Sequence, residues 1–270
     1  MLWTTKQRSY GDGALAYWCD GVGPSLVLIH GVGLRAEAWS GLMPMLSPHL
    51  TVYAVDMPGH GSSPLNGATQ LAGYVSRILA FVRSLDGPVC VAGHSMGAMI
   101  ALEAARQERD KIVGVAGLNA IFRRDPAATA AVRARAAALS RSGITDPRET
   151  LARWFGSTPE GSMAEAADAC RTWLTSADPE GYAAAYRVFA NSDGPLEEQL
   201  RAVTCPALFL TGATDPNSTP KMSQDMANLT PAGCAQTIAR AAHMMPMTHP
   251  DQVAKALLQV FRPPKGVEHE

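Results

Sequence analysis

Short apolar segments alternate with longer amphipathic segments over most of the chain. Six runs are almost continuously hydrophobic: Ser25–Ile29, Thr51–Val55, Pro88–Ala92, Ile112–Gly117, Ala207–Thr211 and Ala235–Ile238. Strands that are apolar at every position are buried on both faces, as in a parallel sheet covered by helices. Between the runs, Gln70–Ser84 and Met96–Gln107 have the pattern of helices. The alternation predicts an α/β fold with a mostly parallel, doubly wound sheet.

An antiparallel edge is expected at the start of this sheet. Thr4–Ser9 and Ala14–Asp20 flank Gly11-Asp12-Gly13, which is a hairpin signal.

The alternation is interrupted between about residue 122 and residue 191. This stretch has no convincing strand, and it contains Asp-Pro pairs that begin at Asp125, Asp146 and Asp178. Aspartate accepts hydrogen bonds from the free N–H groups of a helix start, and proline fits the first turn. We therefore expect residues 122–191 to form a helical lid, inserted between two parts of the core at residues 1–121 and 192–270.

Composition excludes several functional classes. The net charge is −1, from 23 basic and 24 acidic residues, so neither nucleic acid nor an anionic membrane is an expected partner. No apolar run reaches the ~18 residues of a membrane span, and the first residues lack the apolar segment of a signal peptide. The five cysteines form no C-x-x-C pair, so we expect a protein of the reducing cytoplasm.

A candidate nucleophile lies in Gly93-His94-Ser95-Met96-Gly97, directly after an apolar run and before a helix. In a strand–turn–helix context, G-x-S-x-G raises the serine hydroxyl above the sheet. A serine hydroxyl is a weak nucleophile at neutral pH, so it needs a neighbouring base.

His243 is the preferred base, because it follows the last predicted strand and should lie at the same sheet edge as Ser95. His94 should point away from the hydroxyl, and His249 is better suited to capping or packing. The other histidines are His30, His49, His60 and His269.

The base needs an acid that fixes its tautomer. Asp215 follows the run Ala207–Thr211, and the order Ser95, Asp215, His243 is the one expected for this topology. After the preceding strand, the corresponding place holds Asn119, which is not a carboxylate, and the nearby Asp125 has the pattern of a helix cap. Asp56 is better suited to organising the turn after its own strand.

His30-Gly31-Val32-Gly33 follows Ser25–Ile29 and predicts a tight turn. The backbone N–H groups of Val32 and Met96 would then form an oxyanion hole. No cluster has the spacing of a metal site, and no loop has the form of a phosphate-binding loop, so we expect neither metal nor cofactor.

Together these motifs resemble the α/β-hydrolase fold superfamily. The resemblance covers about residues 13–262 and includes His30-Gly31-x-Gly33, Asp56-x-Pro58-Gly59-x-Gly61-x-Ser63, Gly93-x-Ser95-x-Gly97, Asp215 and His243. Within it, Arg153-Trp154-Phe155 and Asp178–Tyr182 resemble the lid of 3-oxoadipate enol-lactonase-like proteins and related carboxylesterases. His30–Trp39 and Ala241-Ala242-His243 are similar to pimeloyl-carrier methyl esterases.

The resemblance implies a cofactor-free serine hydrolase that cleaves a small carboxylic ester or lactone through an acyl-enzyme on Ser95. Alternatives are a carbon–carbon bond hydrolase, an amidase or a haloperoxidase-type perhydrolase on the same triad, or a non-catalytic ligand-binding protein. The oligomeric state is left open.

Five residues are expected to bind the substrate. Arg35 follows the oxyanion turn, while Arg123 and Arg124 begin the insertion, and an arginine fork matches a carboxylate. Trp154 belongs to the lid-like segment, and Met244 beside the base could line an apolar acyl pocket.

Overall fold

A computed structural model describes residues 3–142 and 146–261. Its centre is an eight-stranded sheet in the order β1-β2-β4-β3-β5-β6-β7-β8. The strands are β1 (Ser9–Gly11), β2 (Leu15–Asp20), β3 (Ser25–Ile29), β4 (Thr51–Val55), β5 (Val89–His94), β6 (Ile112–Leu118), β7 (Ala207–Gly212) and β8 (Gly233–Ile238). The six predicted parallel strands are all present, with bounds shifted by two residues at most.

Helices cover both faces of the sheet. They are α1 (Met43–Leu46), α2 (Leu71–Ser84), α3 (Met96–Gln107), α4 (Pro126–Ser142), α5 (Arg148–Phe155), α6 (Ser162–Thr175), α7 (Pro179–Ala190), α8 (Glu197–Arg201), α9 (Pro220–Leu229), α10 (Met245–Thr248) and α11 (Pro250–Phe261). Short 3₁₀ turns lie at Asp12–Ala14 and Ala36–Trp39.

Strands β3 to β8 are parallel, and β2 joins them through an antiparallel pairing with β4. Strand β3 lies between β4 and β5, so the chain crosses to one side of β3 and then returns to the other. Such a reversal opens a crevice at the carboxyl ends of the central strands. The loops after β3 and β5, which carry the predicted oxyanion turn and Ser95, meet at this crevice.

Alternate residues of β3 enter different cores, one on each face of the sheet. Val27 and Ile29 pack in one cluster, while Leu26 and Leu28 pack in the other, and all four are fully buried. Burying each such side chain contributes about 1.5–3 kcal/mol to folding. This two-sided burial is why the strands are apolar at every position.

Four helices, α4 to α7, lie in the described part of residues 122–191, where the sequence predicts a lid. Asp125, Asp146 and Asp178 accept hydrogen bonds from the backbone N–H groups of Ala128, Arg148 and Gly181 at 2.8, 2.9 and 2.6 Å. The predicted capping role of the three aspartates is therefore confirmed. Helix α6 has no Asp-Pro pair and begins after Gly161, whose φ is 55°.

The predicted strand over Thr4–Ser9 is mostly wrong, because only Ser9–Gly11 pairs with β2. The preceding residues instead turn toward a buried ionic cluster. The Arg8 guanidinium contacts Glu37 at 2.7 Å and Asp56 at 2.8 Å, and both carboxylate side chains are fully buried. Strand pairing over Thr4–Ser9 would leave these two acids without a cation, and an unpaired buried charge is strongly destabilising.

Asp56 organises the turn after β4, as predicted. Its two oxygens also accept the backbone N–H groups of Ala36 at 2.8 Å and Ser62 at 2.9 Å. Within residues 3–142 and 146–261, no helix is both long and apolar enough to cross a membrane.

Candidate active site

Ser95 occupies a strained turn between β5 and α3. Its backbone has φ 56° and ψ −117°, a conformation that non-glycine residues rarely adopt. A Cβ at Gly93 would overlap the carbonyl oxygen of Gly97, and a Cβ at Gly97 would overlap that of Ile29. The two glycines therefore allow the close packing that places Ser95 at the crevice.

His243 and Asp215 form a buried pair at the same edge of the sheet. The Nδ1–H of His243 donates to Oδ2 of Asp215 at 2.8 Å. Burial raises the pKa of Asp215, but the attraction of His243 and several hydrogen bonds outweigh burial and hold this pKa below its usual value. An ionised Asp215 fixes the proton on Nδ1, which leaves Nε2 of His243 as the basic nitrogen.

His94 holds the loop that carries the candidate base, a role that sequence reasoning missed. Its Nε2–H donates to the backbone carbonyl of His243 at 2.8 Å, and the two ring centroids are 4.9 Å apart. Burial and the neighbouring His243 lower the pKa of His94 to about 3. A neutral ring beside the base avoids a repulsive positive charge.

The predicted oxyanion loop packs directly against the nucleophile. A Cβ at Gly31 would lie 3.1 Å from the Cβ of Ser95, which explains the glycine at this position. Among the described residues, the backbone N–H groups of Val32 and Met96 donate to no protein acceptor. Both remain available to a ligand, as an oxyanion hole requires.

Two buried histidines shape this loop. The ring of His30 donates through Nδ1 to Gly31 O at 2.7 Å and accepts the backbone N–H of Met57 at Nε2. The Nε2 of His60 accepts the N–H of Gly33 at 3.0 Å. Because each Nε2 accepts a backbone N–H, both rings are neutral. Burial lowers the pKa of His60, and burial together with His60 lowers that of His30 to about 3.

These buried histidines predict a loss of stability in weak acid. In the unfolded chain, His30, His60 and His94 take up protons as pH falls below about 6.5, whereas their folded-state pKa values are lower. The unfolded state then binds more protons, so the free energy of unfolding falls with pH. Between pH 7.5 and 5.5 we expect His30 and His94 together to lower the free energy of unfolding by about 3 kcal/mol, and His60 to add to this loss in the same direction.

Urea denaturation at constant ionic strength measures this loss. Asp56 and Asp215, whose folded pKa values are lowered, lose their contribution only at more acidic pH, below about 4. The losses of stability from the histidines and from the two aspartates therefore fall in separate pH ranges. A free energy of unfolding that stays level from pH 7.5 to 5.5 contradicts the assignment of neutral rings.

Ser95 and His243 line one cavity of about 310 Å³ beneath the inserted helices. This volume is at the small end of ligand pockets, which span ~300–1,000 Å³. Besides Ser95 and His243, the lining residues from the core are Gly31, Val32, Leu34, His94, Ile121, Pro216, Asn217, Thr219 and Met222, and those from the inserted segment are Arg124, Asp125, Ala128, Ala131, Val132, Arg135, Thr150, Arg153, Trp154, Tyr182, Tyr186 and Phe189.

Three arginines line the cavity, against one carboxylate residue, Asp125. Arg135 donates to the hydroxyl of Tyr186 at 3.1 Å, and Arg153 donates to the hydroxyl of Thr150 at 2.9 Å, so both bonds leave the positive charge uncompensated. Glu149 is 4.0 Å from Arg153, but its side chain is 90% exposed. Such a pair is weak in water.

The side chain of Arg124 is buried, with 6% of its surface exposed. Its guanidinium lies over the ring of Phe189 and is 3.4 Å from Asp193, while its Nη2 is buried without a hydrogen-bond partner. Burial lowers the pKa of Arg124, and the nearby Arg135 contributes in the same direction. An anionic ligand in the cavity would relieve both the unused donor and the desolvated charge.

The other substrate-binding candidates are placed differently. Arg35 lines a separate cavity of about 250 Å³ beside His60, and Arg123 is exposed and paired with Glu197. Met244 is 1% exposed and packs in the core between the inserted helices and α10. None of Arg35, Arg123 and Met244 therefore lines the cavity with Ser95. Their side chains lie in a second cavity, on the surface and in the apolar core, respectively.

Trp154 does reach the site, as its lid-like segment predicts. Its ring stacks on that of His243, with centroids 6.4 Å apart and planes inclined by 27°. Helix α5 thus covers the candidate base. Arg135 and Arg153 were not predicted from the sequence. Nothing in their spacing along the chain indicates that they line the same cavity as Ser95.

Comparisons with known proteins agree with this geometry. A model described as the alpha/beta hydrolase family matches residues 26–256. The (E)-2-((N-methylformamido)methylene)succinate hydrolase of Acinetobacter baylyi is 39% identical over 243 residues, which cover 89% of this chain and 91% of that protein. A pimeloyl-[acyl-carrier protein] methyl ester esterase of Photobacterium profundum is 28% identical over 259 residues, covering 90% and 97%.

A solved structure shows the same fold. The enol-lactonase from Burkholderia xenovorans superposes with a TM-score of 0.82 at 23% identity, covering 94% of this chain and 99% of that one.

Proposed function

Because the chain belongs to the alpha/beta hydrolase family, we propose that it is a cofactor-free serine hydrolase acting on a small substrate that carries carboxylates. One observation carries the proposal: a single cavity joins Ser95 and His243 to Arg124, Arg135 and Arg153. The first pair supplies acyl-transfer chemistry, and the arginines supply recognition of negative charge.

The reaction proceeds through an acyl-enzyme. The hydroxyl of Ser95 attacks the substrate carbonyl while Nε2 of His243 takes its proton, and Asp215 stabilises the resulting imidazolium. The N–H groups of Val32 and Met96 bind the negative oxygen of the tetrahedral intermediate. His243 then returns the proton to the leaving group. Water, activated by the same histidine, releases the acid and restores Ser95.

The substrate class follows from the cavity and from the relative that is 39% identical. The name of that relative describes a succinate that bears an N-acyl enamine, so its substrate has two carboxylates and a small acyl group. The arginine-lined cavity of this chain suits the same combination. We therefore place an N-acyl enamine of a small dicarboxylate first, ahead of the simple ester or lactone expected from sequence.

Paired substrates test the proposal. We expect kcat/KM for (E)-2-((N-methylformamido)methylene)succinate to exceed that for its neutral dimethyl ester by about 100-fold or more, since each carboxylate contact contributes about 1.5–3 kcal/mol. Inactivation by an organophosphonate, with the adduct mapped to Ser95 by mass spectrometry, establishes the nucleophile. Preference for the neutral diester, or for methyl pimelate, contradicts the substrate class; hydrolysis of none of them contradicts the proposed function.

Arg124→Gln should raise KM for a dicarboxylate substrate at least tenfold, which is about 1.4 kcal/mol of binding. Activity on a neutral short-chain ester should change little, because that ester has no charge to bind. The adjacent Arg123→Gln is the matched control, since Arg123 is exposed and paired with Glu197 outside the cavity. Equal changes for the two substrates, or equal changes in the two variants, contradict carboxylate recognition by Arg124.

A further inference from the structure

Asn119 holds a central place in the candidate site that the mechanism above does not use. It directly follows β6, its side chain is fully buried, and its φ is 49°, in the left-handed region. Its backbone N–H donates to the carbonyl of Leu210 in β7 at 2.8 Å, and its own carbonyl accepts the hydroxyl of Ser218 at 2.8 Å. These bonds fix Asn119 between two strands.

The side chain of Asn119 contacts the acid of the candidate triad. Its Nδ2 donates to Oδ2 of Asp215 at 2.7 Å, and this is the same oxygen that accepts Nδ1–H of His243. The other oxygen of Asp215 accepts the backbone N–H of Asn217 at 2.9 Å. The carboxylate thus receives three donors, and the amide must face it with nitrogen, since the oxygen would repel it.

The remaining contacts of the amide tie it to the loop of the base. Nδ2 also lies 3.4 Å from the carbonyl of Ala242, the residue before His243. The Oδ1 atom is buried without a hydrogen-bond partner. Leaving a buried amide oxygen without a donor destabilises the folded state, and a left-handed backbone at a non-glycine residue adds to this cost. The fold thus accepts an unfavourable backbone conformation and an unsatisfied oxygen at Asn119. The arrangement places its Nδ2 in hydrogen-bond contact with Asp215.

We propose that Asn119 is a positioning residue that orients the Asp215 carboxylate toward His243 and limits how strongly that carboxylate stabilises the protonated base. This inference rests on the roles proposed for Asp215 and His243. A donor that shares Oδ2 withdraws part of its negative charge. The carboxylate consequently stabilises the protonated imidazole of His243 less than an unshared carboxylate would, which favours release of the proton to the leaving group.

The pKa of His243, measured by NMR in the unliganded protein, tests this without turnover. Asn119→Leu removes the donor and should raise this pKa by about half a unit, and Asn119→Gly, which suits the left-handed backbone at this position, removes the same donor and should raise it in the same direction. The other titratable or charged groups around His243 are His94 and the cavity residues Arg124, Arg135, Arg153 and Asp125. All of these stay unchanged in every variant.

Ser218→Ala is the matched control. It removes a buried hydrogen bond to the backbone of Asn119 but leaves the amide on Asp215 in place. We expect the pKa of His243 to stay at the wild-type value in this variant, and kcat/KM to stay within about threefold. In Asn119→Leu, kcat/KM should fall about tenfold or more, in keeping with loss of a hydrogen bond to a charged group.

Three results would overturn the inference: an unchanged pKa of His243 in folded Asn119→Leu, an equal shift in Ser218→Ala, or an unchanged pKa in Asn119→Gly. Glycine adopts the left-handed backbone of residue 119 without strain, so this variant keeps the test decisive if Asn119→Leu does not fold. Because the NMR titration needs no substrate, absence of any hydrolysis contradicts the proposed function separately.

Discussion

We expect Ser95→Ala to remove essentially all hydrolysis and to leave the protein folded. Without the hydroxyl there is no acyl-enzyme, and loss of a triad nucleophile lowers kcat by about 10⁵–10⁶. Alanine keeps only the Cβ that serine already places in the turn, so thermal unfolding should match that of wild type within a few degrees. The variant should also fail to form the phosphonate adduct.

The measurement is kcat on the preferred substrate, together with circular dichroism of the purified variant. Residual activity above about one per cent, in a preparation free of other hydrolases, would mean that Ser95 is not the nucleophile. Cavity-lining Thr150→Ala is a matched control, because it also removes a hydroxyl from the same wall and should retain most of the activity.

Asp215→Asn should lower kcat by about 10³–10⁴. The amide can present an N–H to Nδ1 of His243, which favours the wrong tautomer of the imidazole and leaves Nε2 without its lone pair for Ser95. The effect is strengthened by the burial of Asp215, because water cannot reach this position to stabilise the protonated imidazole in place of the carboxylate. Steady-state kinetics between pH 6 and 9 measure the loss.

Asp125→Asn is the matched control for the acid. Asp125 lines the same cavity and lies in the alternative region for the acid, but it accepts the backbone N–H of Ala128 as a helix cap. Asparagine caps helices about as well as aspartate, so activity and stability should be close to those of wild type. A larger loss in Asp125→Asn than in Asp215→Asn would place the acid on the inserted helices.

Much of the architecture could be predicted because its signals are local. The six apolar runs correspond to parallel strands, and the three Asp-Pro pairs begin helices, since each device acts within three or four residues of the chain. The order of Ser95, Asp215 and His243 was sufficient to predict that Asp215 and His243 meet. Their hydrogen bond spans 28 residues, but both loops follow adjacent strands of one sheet.

The prediction for the N-terminus was wrong for a tertiary reason. Thr4–Ser9 was predicted as an edge strand from the hairpin signal that follows it, but Arg8 is required by Glu37 and Asp56, which come from two distant turns. Local pattern gives no information on such a cluster. The same limit explains why Arg124, and neither Arg35 nor Arg123, lines the cavity: adjacent residues of an irregular segment point in different directions.

The sequence alone was enough to predict the turn that carries Ser95. A strand can pass directly into a helix there only because Gly93 and Gly97 have no Cβ that would overlap the neighbouring backbone. Only the folded chain showed which polar side chains surround the site. Asn119 contacts Asp215 across 96 residues and His94 contacts His243 across 149, and neither distance in sequence carries a signal. These contacts depend on the register of neighbouring strands and on the packing of loops at their carboxyl ends, which are properties of the whole sheet and not of any segment within it.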